Sequence, residues 1–237
     1  MMIGSGRVRK MRSEAGAVVN YYLPLGEEEI PLNPLLGEKI SLSTDGSIRC
    51  IACGRSSKKS FNQGYCYPCF RDLPQCDRCI VRPELCHYHH GSCRDAAWGE
   101  RHCLQEHVVY LANTSGLKVG ITRATQIPTR WIDQGATAAI PIFRVRERLL
   151  SGEIEVALKA YVADKTAWQR MLKGEGAAVD LLQARQQLLQ QCADVLAEVV
   201  SRWGEDALQL QDGEQPQRFN YPMILKSAVD RCTYLST

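Results

Sequence analysis

Nine of the chain's eleven cysteines fall between Cys50 and Cys103, and no other feature limits the possible fold so tightly. Cys50-x-x-Cys53 and Cys66-x-x-Cys69 are separated by twelve residues. Each pair can close a tight knuckle that presents two thiolates to a tetrahedral ion, which makes Cys50, Cys53, Cys66 and Cys69 a candidate zinc site. Gly54 follows the first pair, where the chain has to turn sharply and a positive φ is useful. So short a segment has little core of its own, so a bound ion would contribute folding energy directly.

A second site is expected downstream. Cys76-x-x-Cys79 supplies half of it, and Cys86 with Cys93 is the simplest completion. Spacing leaves His87, His90, Cys103 and His107 open as replacements for one of these four. The remaining histidines are expected at the surface or behind the ligands. Sites so rich in sulfur are usually closed and structural. Two structural zinc ions are therefore expected between residues 50 and 103.

The rest of the composition is ordinary: 45% hydrophobic and 23% charged residues describe a soluble globular chain. A net charge of +3 permits a nucleic-acid partner without requiring one. No apolar stretch follows the basic start, and no run approaches a membrane span, so no membrane partner is expected. Paired cysteines without an export signal read as metal ligands rather than disulfides, and the cytoplasm is the expected compartment. Between the knuckles lies Lys58-Lys-Ser-Phe-Asn-Gln-Gly-Tyr65. Lys58 and Lys59 with Phe61 and Tyr65 suit phosphate contact and base stacking. The plainer alternative is a solvated lysine pair, with the two rings packed on the module.

The most regular stretch begins at His107. His107–Asn113 and Leu117–Thr122 both alternate, and Thr114-Ser115-Gly116 reads as their turn. Pairing Asn113 with Leu117 sets Val109 opposite Ile121 and Leu111 opposite Val119, an apolar face that must look into a core. The other face sets Ala112 opposite Lys118 and Tyr110 opposite Gly120, which suggests a face kept open. A short helix is expected over 128–134, ended by Gly135, and a strand over 138–146. A second helix is expected from a Ser151 cap to about Val162, with Ile154, Leu158, Tyr161 and Val162 buried.

The flanks read more simply. Residues 1–49 form a small β module: a strand over 17–23, a loop over 26–36, and a hairpin through Asp45-Gly46 that joins 39–43 to 47–51. A short helix is expected over 166–173, with a break at 174–176. One long amphipathic helix over 177–203 carries Val179, Leu182, Leu189, Cys192, Leu196, Val199 and Trp203 on roughly one side. It can pack on the preceding domain or support a homodimer. Residues 212–217 read as a polar linker and 219–225 as an edge strand or arm, while Cys192 and Cys232 read as packing residues.

The expected class is thus α+β in four parts: a small β module (1–49), a cysteine-rich zinc module (50–106), a ββαβα domain (107–173), and a helix with an arm (174–237). The order of the third part, with Val108-Val-Tyr110 and Lys118-Val-Gly120, resembles the GIY-YIG nuclease family. That resemblance implies an active site around one divalent metal, Mg²⁺ or Mn²⁺. Tyr110 would take the place of the first tyrosine, Arg130 that of the helix arginine and Glu155 that of the metal-binding glutamate. Lys118 stands where the family has its second tyrosine, on the same strand face as Tyr110, and can bind phosphate. Read without the family, Glu155 is the first member of an i,i+4 pair with Lys159. The whole chain, including Lys58–Phe70 and Arg130–Ala136, also looks like an uncharacterised bacterial family of unknown function with a zinc-ribbon-like region. Two functions follow: a metal-dependent nuclease gripping nucleic acid through zinc modules, or a non-catalytic module binding nucleic acid or protein.

Overall fold

The computed structural model describes residues 4–162 and 179–223, which fall into two compact units. The helix and break expected over 166–176, Cys232 and the end of the 219–225 arm lie outside these residues. The architecture is mixed α+β.

The smaller unit, residues 4–42 with 219–223, carries an antiparallel sheet in the order β1 (Arg12–Glu14), β2 (Asn20–Leu25) and β3 (Glu28–Pro31). A loop was expected where β3 lies. Gly26, at φ 66°, opens a two-residue turn that pairs Leu25 with Glu28. The acidic residues that suggest a loop occupy an edge strand, where charge is tolerated. Arg12 reaches Glu29 at 2.8 Å and covers the Tyr22 ring at 4.1 Å. Asn33 completes the sheet edge: its Oδ1 accepts from Tyr21 N and its Nδ2 donates to Val19 O, both at 2.9 Å. Beyond β3 the expected hairpin does not form. Residues 39–48 contain no strand, and Ile40 and Leu42 are exposed. The Asp45-Gly46 turn signal is local only: Asp45 Oδ1 accepts from Ser47 N at 2.8 Å.

The larger unit, residues 43–218, opens with the cysteine-rich segment. Its helices α1 (Tyr67–Asp72) and α2 (Ala96–His102) are joined by four single-turn 3₁₀ segments. A five-stranded sheet follows. β4 (His107–Asn113) pairs with β5 (Leu117–Arg123) in the register read from alternation, Val109 opposite Ile121, Tyr110 opposite Gly120 and Asn113 opposite Leu117. Helix α3 (Thr129–Asp133) ends at Gly135, whose φ is 68°. β6 (Ala138–Val145) pairs with the other edge of β4. The β4–β6 register slips between Val109 and Tyr110, so Pro141 sits at an irregularity, where its missing N–H costs no ladder bond.

Helix α4 (Arg148–Lys159) starts three residues before the expected Ser151 cap. Ser151 lies inside the helix and donates to Arg148 O at 2.7 Å, so its hydroxyl is satisfied without capping. Ile154 and Leu158 are buried as expected, but Tyr161 is exposed. The single long C-terminal helix is a second correction. It is two helices, α5 (Leu181–Gln191) and α6 (Ala193–Trp203), broken at Cys192, where φ is −102° and ψ 10°. On either side of the bend the helices pack differently, α5 against β4 and β6 and α6 against α4. Leu181, Leu188, Cys192 and Val199 join Val109, Leu111, Val119, Ile140, Leu150, Ile154 and Leu158 in one core. Leu182, expected on the apolar side, is exposed.

Two short strands, β7 (Gln209–Leu210) and β8 (Gln217–Arg218), were not anticipated; they pair with β6 on either side of Pro141. The loop between them is held by Arg185, whose guanidinium donates to the carbonyls of Gln211 and Asp212. Among the described residues no helix is long and apolar enough to cross a membrane.

Candidate functional site

The first cysteine cluster is built from two local turns. Gly54 N donates to Cys50 O, and Cys50 N to Arg55 O, both at 2.9 Å, which folds Cys53 back over Cys50. Gly54 sits at φ 71°, the conformation the spacing called for. Cys66 is the N-cap of α1 and Pro68 lies in the first turn, so Cys66 and Cys69 share one side of that turn. Gly64, at φ 133°, brings the turns together: a Cβ there would lie 2.7 Å from Ile51 Cγ2.

The sulfurs of Cys50, Cys53, Cys66 and Cys69 all lie within 4.8 Å of one another, with Cys53 and Cys66 3.7 Å apart. Four sulfurs ~2.3 Å from a tetrahedral ion would be about 3.8 Å apart, so the cluster is compatible with a structural zinc ion. Burial raises the Cys69 thiol, and hydrogen bonds with the other three sulfurs push it further, to about 12. Burial also opposes ionisation of Cys50, but backbone N–H groups outweigh it and hold that thiol at about 6. One thiolate is favoured and its neighbour is suppressed, as like charges in contact require.

Around this cluster, Lys58 and Lys59 are exposed, and Lys59 Nζ lies 5.5 Å from the Phe61 ring centre. Phe61 stacks on Phe70 at 5.7 Å and meets the edge of Tyr67 at 5.5 Å. Tyr65 is half-buried. Tyr67, exposed at 56%, and Phe70 escaped the sequence reading, although their i,i+3 spacing on a helix would place them together.

The second cysteine group is spread wider. Cys79, Cys86, Cys93 and Cys103 line one small cavity with Asp77 and His87, whereas Cys76 does not line it. Cys76 is buried and is an electrostatic neighbour of Tyr65, as Cys50 and Cys69 are. Among the histidines, His89 bonds Glu147 at 2.9 Å, His102 stacks on Trp98 at 4.2 Å and His90 is exposed. His107 is wholly buried.

The residues expected to form a nuclease centre come near one another. Tyr110 is fully buried, and the face expected to be open is filled by its own ring: a Cβ on Gly120 would lie 2.6 Å from Tyr110 Oη. Gln134 bridges Tyr110 and Arg130. In the amide orientation that satisfies both, it donates to Tyr110 Oη at 2.7 Å and accepts from Arg130 Nε and Nη2 at 3.2 Å. Its signal was its place four residues after Arg130 on one helix face.

Burial pushes the Tyr110 phenol up to about 12, with Arg130 pulling against it and Glu155 adding to it. Glu155 is mostly buried, with 15% of its side chain exposed, and sits 3.6 Å from Lys159. Burial raises its carboxyl, Lys159 and Lys118 draw it down, and Glu84 pushes it up. Tyr110, Lys118, Arg130 and Glu155 thus share one electrostatic neighbourhood. A neutral phenol, a guanidinium, two ammonium groups and one carboxylate can bind an anion. The phenol cannot accept a proton near neutral pH.

No curated protein and no solved structure matches the chain. A family model described as a protein of unknown function (DUF2797) matches residues 37–232, and with it the cysteine-rich segment and the five-stranded sheet. The chain belongs to the DUF2797 family.

Proposed function

We propose that this protein is a zinc-organised nucleic-acid-binding module whose main contact surface is the loop between the two knuckles of the first cluster. One observation carries the reading. From Gly46 to Phe70 the chain has four cations, Arg49, Arg55, Lys58 and Lys59, and no carboxylate, and the next residue, Arg71, pairs with Asp72. Exposed Tyr67 and the stacked Phe61–Phe70 pair lie in the same stretch. Cations track a phosphate backbone, and flat rings accept bases of any sequence. The ββαβα domain, similar in element order to GIY-YIG nucleases, serves in this reading as a scaffold with a second anion-binding patch at Lys118 and Arg130.

The test is binding of labelled single-stranded DNA, duplex DNA and RNA across a salt series. Lys58→Ala with Lys59→Ala is expected to weaken all three alike and to lower the salt slope by roughly 2, about one for each phosphate left without its lysine. Absence of binding to every probe at low salt would favour a protein partner instead.

The convergence of Tyr110, Arg130 and Glu155 favours a second reading, a divalent-metal nuclease. Glu155 with waters would hold Mg²⁺ or Mn²⁺, which accept a single protein carboxylate. Arg130 would clamp phosphate, and Tyr110 would orient rather than deprotonate. A cleavage assay with both metals decides this. Activity lost in Glu155→Gln with binding retained supports the nuclease, and an inert wild type that still binds leaves the module.

A further inference from the structure

We propose that Cys79, Cys86, Cys93 and Cys103 hold a second tetrahedral zinc ion, and that this site fastens the cysteine-rich segment to helix α4. The inference does not depend on what the first cluster contacts. All four cysteines line one cavity, and Cys86 and Cys93 are electrostatic neighbours of Cys103, as Cys86 is of Cys79. Cys93 Sγ is 3.3 Å from Asp95 O, and the glycine at 99 leaves room for the Tyr88 ring, which a Cβ would meet at 2.8 Å beside that sulfur.

Asp77, Cys79 and His87 also offer ligand atoms within 4.8 Å of one another. Both carboxylate oxygens of Asp77 are already engaged, however. Oδ2 is 2.7 Å from Arg94 Nε; Oδ1 accepts from Cys79 N at 3.3 Å and faces His87 Nε2 at 3.5 Å. Asp77 and His87 therefore read as braces behind the sulfurs, the role outer partners play around metal ligands. His107 has a buried Nε2 without a partner, but it does not line the cavity.

Charge supplies an independent argument. Arg148, the first residue of α4, has Cys103, Cys79 and Cys86 as electrostatic neighbours. One Nη donates to Ile80 O at 2.6 Å, its buried Nε has no hydrogen-bond partner, and it forms no ion pair among the described residues. Arg148 is half-buried, and a partly desolvated cation is stabilised by a nearby counter-charge. Four thiolates on a divalent ion carry a net charge of about −2 and would supply that counter-charge.

The surrounding contacts show what the site would hold. Arg148 N donates to Cys103 O at 2.8 Å, and His89 bonds Glu147 beside it at 2.9 Å. Gly152 lies so close to the preceding segment that a Cβ would approach Glu84 N at 2.5 Å. Helix α4 also carries Glu155, so metal at this site would fix the backbone that positions that carboxylate.

The experiment is elemental analysis of purified full-length protein carrying single substitutions, with Co²⁺ spectroscopy on the wild type. Wild type is expected to hold about two zinc ions per chain, both replaceable by Co²⁺ with the absorption of four-sulfur tetrahedral sites. Cys103→Ser is expected to lose one ion, whereas Cys76→Ser, His87→Gln and His107→Asn keep both. Loss from Cys76→Ser with retention in Cys103→Ser overturns the ligand set. A second Co²⁺ spectrum with fewer than four sulfurs overturns it as well, and that measurement needs no variant to fold. Wild type holding one ion, lost in Cys66→Ser and kept in Cys103→Ser, rejects the second site and leaves the first intact.

Discussion

Tyr110 and Gly120 form a matched pair across two strands, and their chemistry follows from the fit. The phenol occupies the volume that a side chain at 120 would take, with Oη 2.6 Å and Cζ 2.7 Å from the place of a Cβ. Gly120→Ala should therefore force the ring out of its bond with Gln134 and cost about 1–3 kcal/mol, the usual penalty of overpacking. Gly116→Ala is the control, since nothing lies within 4 Å of a Cβ there. Equal denaturation midpoints for the two variants would show that the ring does not rest on Gly120. His107 offers a pH test in the same sheet. Its Nδ1 donates to Gln105 O at 2.7 Å, and burial, with Arg148 and Arg123 nearby, lowers its pKa from 6.5 to about 4. Above pH 6.5 neither the folded nor the unfolded chain carries the proton. Between 6.5 and 4 the unfolded chain gains one that the native state refuses, so stability falls as pH falls, by an amount on the order of 3 kcal/mol. His107→Asn, measured by denaturant unfolding from pH 7 to 4, should flatten that dependence; an unchanged slope would mean that His107 protonates in place.

At the scale of elements, α4 depends on contact with the segment before the sheet. Gly152 faces Pro83 and Glu84 so closely that a Cβ would meet Glu84 N at 2.5 Å and Pro83 C at 2.7 Å, both backbone atoms with little room to yield, and the Pro83 ring at 2.6 Å. Gly152→Ala should cost about 1–3 kcal/mol by overpacking, read from the unfolding midpoint at full zinc loading. A neutral result would mean that the 83–85 turn moves freely against the helix. Gly152 also marks where sequence reading stops. The β4–β5 hairpin was legible to the residue because a period of two and a short turn leave only one register that buries Val109, Leu111 and Val119 together. The first cluster was legible because each cysteine pair closes on itself through local turns. The second was not, because Cys76 and Cys79 share a motif yet only Cys79 lines the cavity. Which cysteine joins it depends on where α2 and α4 bring Cys103, a long-range fact with no local signal. The break at Cys192 was hidden for the same reason: periodicity continues through it, and the helix beyond it packs on α4, a long-range contact. Strands β7 and β8 are two residues each and carry no pattern to read.

Across the whole molecule the two kinds of core are separate. Between residues 43 and 106 the buried side chains are Cys50, Cys66, Cys76, Cys79, Cys103, Pro74 and Pro83, with Gly99 the one buried residue that lacks a side chain. No residue of that stretch belongs to the core formed by β4, β5, β6, α4, α5 and α6. Sulfur thus takes the place of a hydrophobic centre in a segment whose helices α1 and α2 span six and seven residues. A segment of that kind should be folded by metal, while the sheet should be folded by apolar burial. Hydrogen exchange with and without a strong chelator separates the two. Before chelation, amides such as Phe70 N, bonded to Cys66 O at 2.9 Å, and Cys103 N, bonded to Gly99 O at 2.7 Å, should be protected. After chelation these should exchange at the rate of an open chain, because local opening no longer breaks a metal–sulfur bond. The amides of β4 and β6 should keep most of their protection, since Val109, Leu111, Ile140 and Ile142 remain covered by α4 and the C-terminal helices. Protection lost equally throughout 43–218 would mean that metal holds the entire unit, and protection kept in the cysteine-rich segment would mean that its fold does not need the ion. The expected division, open over residues 43–106 and closed from 107 onward, is the outcome that follows from a core of cysteines beside a core of aliphatic side chains.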